Sequence, residues 1–191
     1  MKREIINNSE EIARKIEQAG GRLYLVGGAL RDEMLGREIH DKDYCVVGLT
    51  ADSFKKLFPE AFLRGKSFEV FDLYGNEFAM ARTEKKNGTG HKSFEIHTNP
   101  NITIEEDLSR RDITINAIAK DVLTGEIIDP YNGKKDLENR IIRATTERFV
   151  EDPLRVYRVA RFSATFEFEV EKSTIELIKH LKKELTELSA E

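Results

Sequence analysis

Two aspartates one residue apart, in Asp41-Lys42-Asp43, have a spacing that suits chemistry. Side chains alternate along a strand, so carboxylates at i and i+2 face the same side, roughly 7 Å apart along the chain. Such a pair offers oxygen ligands to one or two magnesium ions, hard cations that favour carboxylate, water and phosphate. The competing reading is two solvated charges at a strand edge. The upstream context shifts the balance. Gly27-Gly28 follows an apolar run and precedes a helical one, with Arg31 and Asp32 one turn in. Backbone amides at a helix N-terminus form an anion site, glycine lets a phosphate approach closely, and Arg31 adds a guanidinium. A strand, a glycine pair, a short helix and then D-x-D is what a site for a nucleoside triphosphate and magnesium needs. No G-K-[ST] follows the glycines, which excludes a P-loop.

Two further clusters combine arginine with aspartate. Arg110-Arg111-Asp112 can be a ligand-binding set or an ion-pair knot at a helix end. Asp152, Arg155 and Arg158 recur at three-residue spacing and project from nearly one face of a helix. Asp152 before Pro153 also reads as an N-cap with proline at the first helical position. Six arginines fall between Arg140 and Arg161, so this region can meet phosphate although the net charge of the chain is −4.

The elements that must carry these residues follow from periodicity. Residues 9–19 form an amphipathic helix with Ile12, Ala13, Ile16 and Ala19 on one face, ended by Gly20-Gly21. A strand over 22–26 turns at Gly27-Gly28 into a helix closed by Gly36. A second strand spans 44–47 and a second helix 51–58. Residues 69–73 and 76–82 are strands joined at Gly75. From 83 to 100 the pattern is lost, and a loop of that length in a compact domain is more often functional than idle. Thr103 and Glu106 make a capping-box signature. A strand pair over 118–122 and 126–128 turns at Thr124-Gly125. The remainder is mostly helical, and Ile175, Ile178, Leu181, Leu185 and Leu188 make one stripe of a long final helix. That stripe needs a cover: it folds back onto residues 155–166, or a C-terminal body missing from a truncated chain covers it. Left exposed, Leu181, Leu185 and Leu188 leave the expected state open between a monomer and weak self-association.

At 191 residues, with 39% hydrophobic and 35% charged, the chain suits one core with a small appendage. No stretch approaches the roughly 20 apolar residues of a membrane helix, and the N-terminus does not read as a signal peptide. Cys45 is the single cysteine, which excludes an intrachain disulfide and a cysteine-rich zinc site. The expected compartment is the cytoplasm.

At this point a resemblance becomes specific. Residues 25–32, Leu-Val-Gly-Gly-Ala-Leu-Arg-Asp, followed by Asp41-Lys42-Asp43, resemble the first signature of the polymerase β-like nucleotidyltransferases. Within them the match is to the bacterial CCA-adding enzymes and poly(A) polymerases. Arg110-Arg111-Asp112-Ile113-Thr114-Ile115-Asn116-Ala117 is similar to their second signature. Asp129-Pro130-Tyr131-Asn132-Gly133 with Asp136 resembles the third, and Glu151-Asp152-Pro153-Leu154-Arg155, running on to Arg161-Phe162, the fourth. The resemblance implies an α+β fold: a nucleotidyltransferase palm, a mixed sheet with helices on one side, over residues 1–140, then a small helical neck over 141–191. It implies attack by the 3′-hydroxyl of a tRNA on the α-phosphate of CTP or ATP, with Mg2+ as cofactor and no membrane partner. Asp41 and Asp43 would hold the metals. Gly28 and Arg31 would contact triphosphate and sugar, Arg111 the sugar–phosphate part, and Asp112 would orient it or hold the ribose. Glu77 on a neighbouring strand is a further carboxylate, left outside the expected site.

The fourth signature explains how selection can work without a template. Cytosine and adenine each present an exocyclic amino donor beside a ring-nitrogen acceptor, whereas uracil and guanine present the reverse order. A carboxylate at Asp152 accepts from the first group and a guanidinium at Arg155 donates to the second. Arg158 completes the nucleotide set. Relatives that add only CC lack a flexible loop comparable to residues 82–88, and Asp121-Val122 and Ile128-Asp129-Pro130-Tyr131 resemble the CCA-adding members more than the polyadenylating ones. Poly(A) polymerase, a partial CC- or A-adding enzyme and a non-catalytic RNA-binding remnant are the alternatives. His40-Asp41 is the single His-Asp pair, so a phosphohydrolase activity is not supported. His91, His97 and His180 read as surface residues. RNA grip is expected largely beyond Glu191, so nucleotide binding should exceed tRNA binding.

Overall fold

The computed structural model describes residues 9–39, 42–64, 69–86, 94–182 and 185. In chain order its elements are α1 (Ser9–Gln18), β1 (Arg22–Val26), α2 (Gly27–Met34), β2 (Asp43–Val47), α3 (Ala51–Leu57), β3 (Phe62–Leu63), β4 (Val70–Leu73), β5 (Asn76–Met80), β6 (Arg82–Lys86), β7 (Phe94–Thr98), α4 (Ile104–Ser109), β8 (Ala119–Asp121), β9 (Ile127–Ile128), α5 (Gly133–Glu138), β10 (Ile141–Ile142), α6 (Leu154–Phe166), β11 (Glu169–Val170) and α7 (Lys172–His180). Two 3-10 turns, Thr114–Asn116 and Glu147–Glu151, complete them. By contacts the chain forms two units, one from residues 1–82, 98–104 and 119–128, the other from 83–97, 105–118 and 129–191. A boundary after residue 140 follows chain order. The contacts interleave instead, because β8 and β9 return to complete the sheet begun by β1.

In the first unit, seven strands form one sheet in the order β3-β4-β5-β2-β1-β8-β9. β2 and β5 are parallel and the other pairs antiparallel, so the sheet is mixed as expected. Alternation sorts its side chains. Phe71, Phe78, Tyr44, Leu25 and Lys120 are successive register partners and share one face. Helices cover that face: Phe54 of α3 lies 5.1 Å from Phe71 and 5.6 Å from Phe78 between ring centroids, and Glu33 of α2 pairs with Lys120. Ile12, Ala13 and Ile16 of α1 are buried as the stripe predicted. The next row, Asp72, Glu77, Asp43 and Val26, projects from the opposite face.

In the second unit β6 and β7 form a two-stranded sheet. The long loop expected over 83–100 is instead occupied by strands at 82–86 and 94–98; Arg82-Thr83-Glu84-Lys85-Lys86 hides its strand because it has no apolar alternation. Residues 87–93, including His91, lie outside the described residues. Phe162 stacks on Phe166, which meets Phe168 at a tilt of 48°, in the core beside the parallel pair β10–β11. Leu181, expected to be exposed, is 1% exposed, so its share in the self-association argument is withdrawn. The reason is that α7 ends at His180 and packs on the turn Glu147–Glu151. Leu188 lies outside the described residues.

The third signature is a packing joint of this unit. Asp129 accepts from the amides of Gly133 (2.7 Å) and Lys134 (2.9 Å), and Asn132 adopts a left-handed φ of 58°. This brings α5 against the Thr114–Asn116 turn, where a Cβ on Gly133 would lie 2.3 Å from the carbonyl oxygen of Thr114. Asp136 then accepts from the Thr114 hydroxyl (2.7 Å) and from Arg143. Gly133→Ala is expected to destabilise the protein by about 1–3 kcal/mol, because backbone cannot yield as a flexible side chain does. A melting temperature within one degree of the parent would refute that packing argument.

Candidate active site

The first unit carries the expected phosphate and metal residues. β1 ends at Val26 in extended conformation, and Gly27 turns the chain into α2 with a φ of 67°, a value that glycine tolerates without strain. Among the described residues no side chain caps the first amides of α2. Arg31, one turn in, is 7% exposed and its guanidinium is fixed by Asp32, at 3.0 Å from Nε and 2.9 Å from Nη2. A Cβ on Gly28 would meet Arg31 Nη2 at 3.4 Å, so the guanidinium lies over the glycine. Cation and amides thus share one corner of α2.

Asp43 opens β2 and is the register partner of Val26, the last residue before the glycines. On its other side it opposes Glu77 of β5. Adjacent strands lie about 4.8 Å apart, so these two carboxylates project side by side from the sheet. Like charges directly opposite cost stability. Asp41 and His40 lie outside the described residues, and among the described residues no group of three acidic, His or Cys side chains is gathered.

The second unit brings together the second and fourth signatures. Asp112 accepts from its neighbour amide Ile113 (2.9 Å), from the Asn116 amide group (3.1 Å) and from Arg158 Nε of α6 (2.7 Å). Arg155 is buried and donates to the carbonyls of Arg148 and Arg110, each at 2.8 Å. Burial pushes its guanidinium pKa down, against Asp152, Asp112 and two glutamates that raise it. Two of its five N–H donors are thus paired with backbone. The helix takes Pro153, expected as its first residue, as N-cap, and Asp152 lies one residue before it: its Oδ1 accepts from the amide of Leu154 at 3.0 Å, and its carbonyl takes Arg155 N. Arg111 lies on Asp107 (3.1 Å), and its Nε is buried without a hydrogen-bond partner among the described residues.

Sequence reasoning missed Asp107. It is 1% exposed and accepts from Arg110 at 2.7 Å as well as from Arg111. Burial pushes its carboxyl up, but the two guanidinium groups outweigh this and hold it below the usual range. The available signal was helical spacing, since Asp107 precedes the arginines by three and four residues. Glu84 of β6 also takes Arg110 on its carboxylate (3.1 Å), while its carbonyl accepts from Arg148.

A mixed sheet with helices on one face, and a glycine turn beside paired carboxylates, makes this an α+β protein. Residues 23–143 match the poly A polymerase head domain, and the chain belongs to that family. It is 50% identical over 162 residues to the multifunctional CCA protein of Aromatoleum aromaticum, covering 83% of this chain and 39% of that protein. The CCA-adding enzyme of Alteromonas mediterranea is 46% identical over 177 residues, which is 88% of this chain and 44% of that one. The chain therefore spans less than half the length of these relatives. The crystal structure of the Bacillus stearothermophilus CCA-adding enzyme in complex with CTP superposes with a TM-score of 0.80 at 32% identity, over 95% of this chain and 45% of that one. A tRNA nucleotidyltransferase complexed with a primer tRNA and an incoming ATP analogue gives 0.69 at 31% identity, over 88% of this chain and 49% of the other. No described helix is long and apolar enough to cross a membrane.

Proposed function

We propose that this chain carries the nucleotide-transfer centre of an enzyme that adds C and A to the 3′ end of tRNA from CTP and ATP. The 3′-oxygen bonds to the α-phosphorus, the bond to the β-phosphate bridging oxygen breaks, and pyrophosphate leaves. The observation that carries this is likeness to the CTP-bound CCA-adding enzyme over 95% of the chain, with the described signature residues on elements that suit their roles. A cytoplasmic enzyme with no membrane partner follows from the same reading.

Asp41 and Asp43, with Glu77 in register beside Asp43, would hold a divalent cation. The donor set is carboxylate oxygen throughout, which fits hard Mg2+. Bound there, Mg2+ lowers the pKa of the attacking hydroxyl and braces the triphosphate. Gly28 and the α2 amides take phosphate oxygens, and Arg31, held by Asp32, adds a fixed charge. Arg111 contacts the sugar–phosphate part. Asp112, oriented by Arg158 and Asn116, holds the ribose. Asp152 accepts from the exocyclic amine of C or A with the oxygen its cap leaves over, and Arg155 donates to the ring nitrogen from a guanidinium already fixed on two carbonyls.

The family model, a poly A polymerase head, makes polyadenylation the second reading. Incubation with a tRNA lacking its 3′ terminus, Mg2+ and each labelled nucleotide separates them. Incorporation of C and then A supports CCA addition, long A-tails support the polymerase, and nucleotide binding without incorporation refutes both.

Asp152→Asn tests the base-reading role. Asparagine caps about as well as aspartate, so a cap alone predicts an unchanged melt and unchanged selectivity. Base reading predicts that rejection of U falls roughly ten- to a hundredfold, as a misplaced polar contact costs about 1–3 kcal/mol. Parental rejection of U in a variant of normal stability would show Asp152 to be a cap only.

A further inference from the structure

The helix that carries Arg155 on its inner side has an outer side on which only Arg158, held on Asp112, has an assigned task. α6 has buried residues at Arg155, Val159, Phe162 and Phe166. Leu154, Tyr157, Arg158 and Arg161 occupy exposed positions on the same helix. They follow one another at spacings of three and four and so form one stripe. Tyr157 is 56% exposed, Leu154 is exposed beside it, and the Tyr157 hydroxyl has no hydrogen bond among the described residues. Arg161 makes no ion pair among them and lies against the Phe162 ring, 4.9 Å from its centroid, which fixes the guanidinium on the surface. Arg158 reaches Asp112 with Nε.

Charge decides what such a face suits. Of the three arginines of α6, Arg155 is buried and Arg158 is paired with Asp112, so Arg161 gives the outer stripe its charge, and the helix has no acidic residue to offset it. A face meant for another protein's apolar surface would be depleted of charge at its centre. This one places a flat aromatic ring one helical turn from a fixed, unpaired cation. That pairing of a stacking surface with a backbone-tracking charge is how single-stranded nucleic acid is gripped without reading its sequence.

We propose that the outer face of α6 takes up the single-stranded 3′ end of the RNA, with one base stacked on Tyr157 and a phosphate on Arg161. Leu154 extends the apolar platform under the base. The inference rests on the nucleotidyltransferase reading for RNA as the substrate class, and deepens it by assigning the strand contact to residues that take no part in nucleotide selection. Stacking tolerates any base, which suits an end whose last nucleotide changes with each addition.

The test is equilibrium binding of a labelled RNA minihelix with an unpaired 3′ end, in the absence of nucleotide, alongside CTP binding and thermal melting of the same proteins. Tyr157 is exposed, so substitution there should leave the melt unchanged. Tyr157→Ala should weaken RNA binding by about tenfold, the loss of one stacked base, with CTP binding as in the parent. Tyr157→Phe keeps the ring and should bind RNA like the parent. Arg161→Gln should weaken RNA binding and reduce the slope of log affinity against log salt by about one contact. The proposal is overturned if the parent does not bind the minihelix, or if Tyr157→Ala and Arg161→Gln bind it as the parent does. It is equally overturned if Tyr157→Ala lowers the melting temperature or changes the oligomeric state with RNA affinity intact, since the face then belongs to a protein contact. Failure of the enzymatic reading looks different: the parent incorporates neither C nor A, whatever Tyr157 does to RNA binding.

Discussion

Asp43→Asn is expected to lower nucleotide incorporation on the order of a thousandfold, the scale of losing a preorganised charge at a reacting phosphate. Its effect on stability should be absent or slightly favourable. Asp43 and Glu77 are directly opposed on neighbouring strands, and like charges so placed repel. Asparagine removes one of those charges with nearly the same shape. The opposite signs of the two effects make the test sharp. Incorporation assays under Mg2+ should fall while the melting temperature holds or rises. Unchanged turnover would remove Asp43 from the metal site. A large fall in melting temperature would mean that the carboxylate serves the sheet.

Asp107→Asn should produce the largest loss of stability among these variants. The carboxylate is buried and holds both Arg110 and Arg111. Taking one partner from a buried ion pair costs about 3–5 kcal/mol, and about 3 °C follows per kcal/mol in a protein of this size, so the melting temperature should fall by roughly 10 °C. Function should suffer too, since Arg111 loses the anchor that aims it and the carbonyl of Arg110 is one of the two that fix Arg155. The KM for CTP is expected to rise more than kcat falls. The pH dependence has a definite sign. The folded Asp107 carboxyl titrates below its ordinary value, so its contribution is complete above the unfolded pKa and is lost as pH falls through the lower folded one. The parent's melting temperature should drop over that acid range more steeply than the variant's. Parallel pH profiles would assign acid sensitivity to other groups.

How much of this was legible beforehand depended on the range of the interactions involved. The sequence alone determined the local elements: the apolar stripe of α1, the five residues of β1, the glycine turn into α2 and the β8–β9 turn at Thr124-Gly125. Each is encoded by residues within a few positions of one another, where periodicity and turn chemistry act directly. The chemically active residue types were legible for the same reason, because D-x-D, Arg-Arg-Asp and Asp-x-x-Arg are short patterns. Tertiary structure alone decided their partners. Glu77 stands beside Asp43 through a parallel pairing of β2 and β5, and no local signal sets that register. Arg158 meets Asp112 across 46 residues, and Arg155 is aimed by two carbonyls, which carry no side-chain signature at all. β6 escaped notice because its residues are polar and its strand is specified by the neighbour it pairs with. Leu181 was expected in solvent because a stripe shows only that a helix has an apolar face. What that face meets is settled by distant chain: Leu181 is buried near the turn Glu147–Glu151, while Ile175 of the same stripe stays 39% exposed.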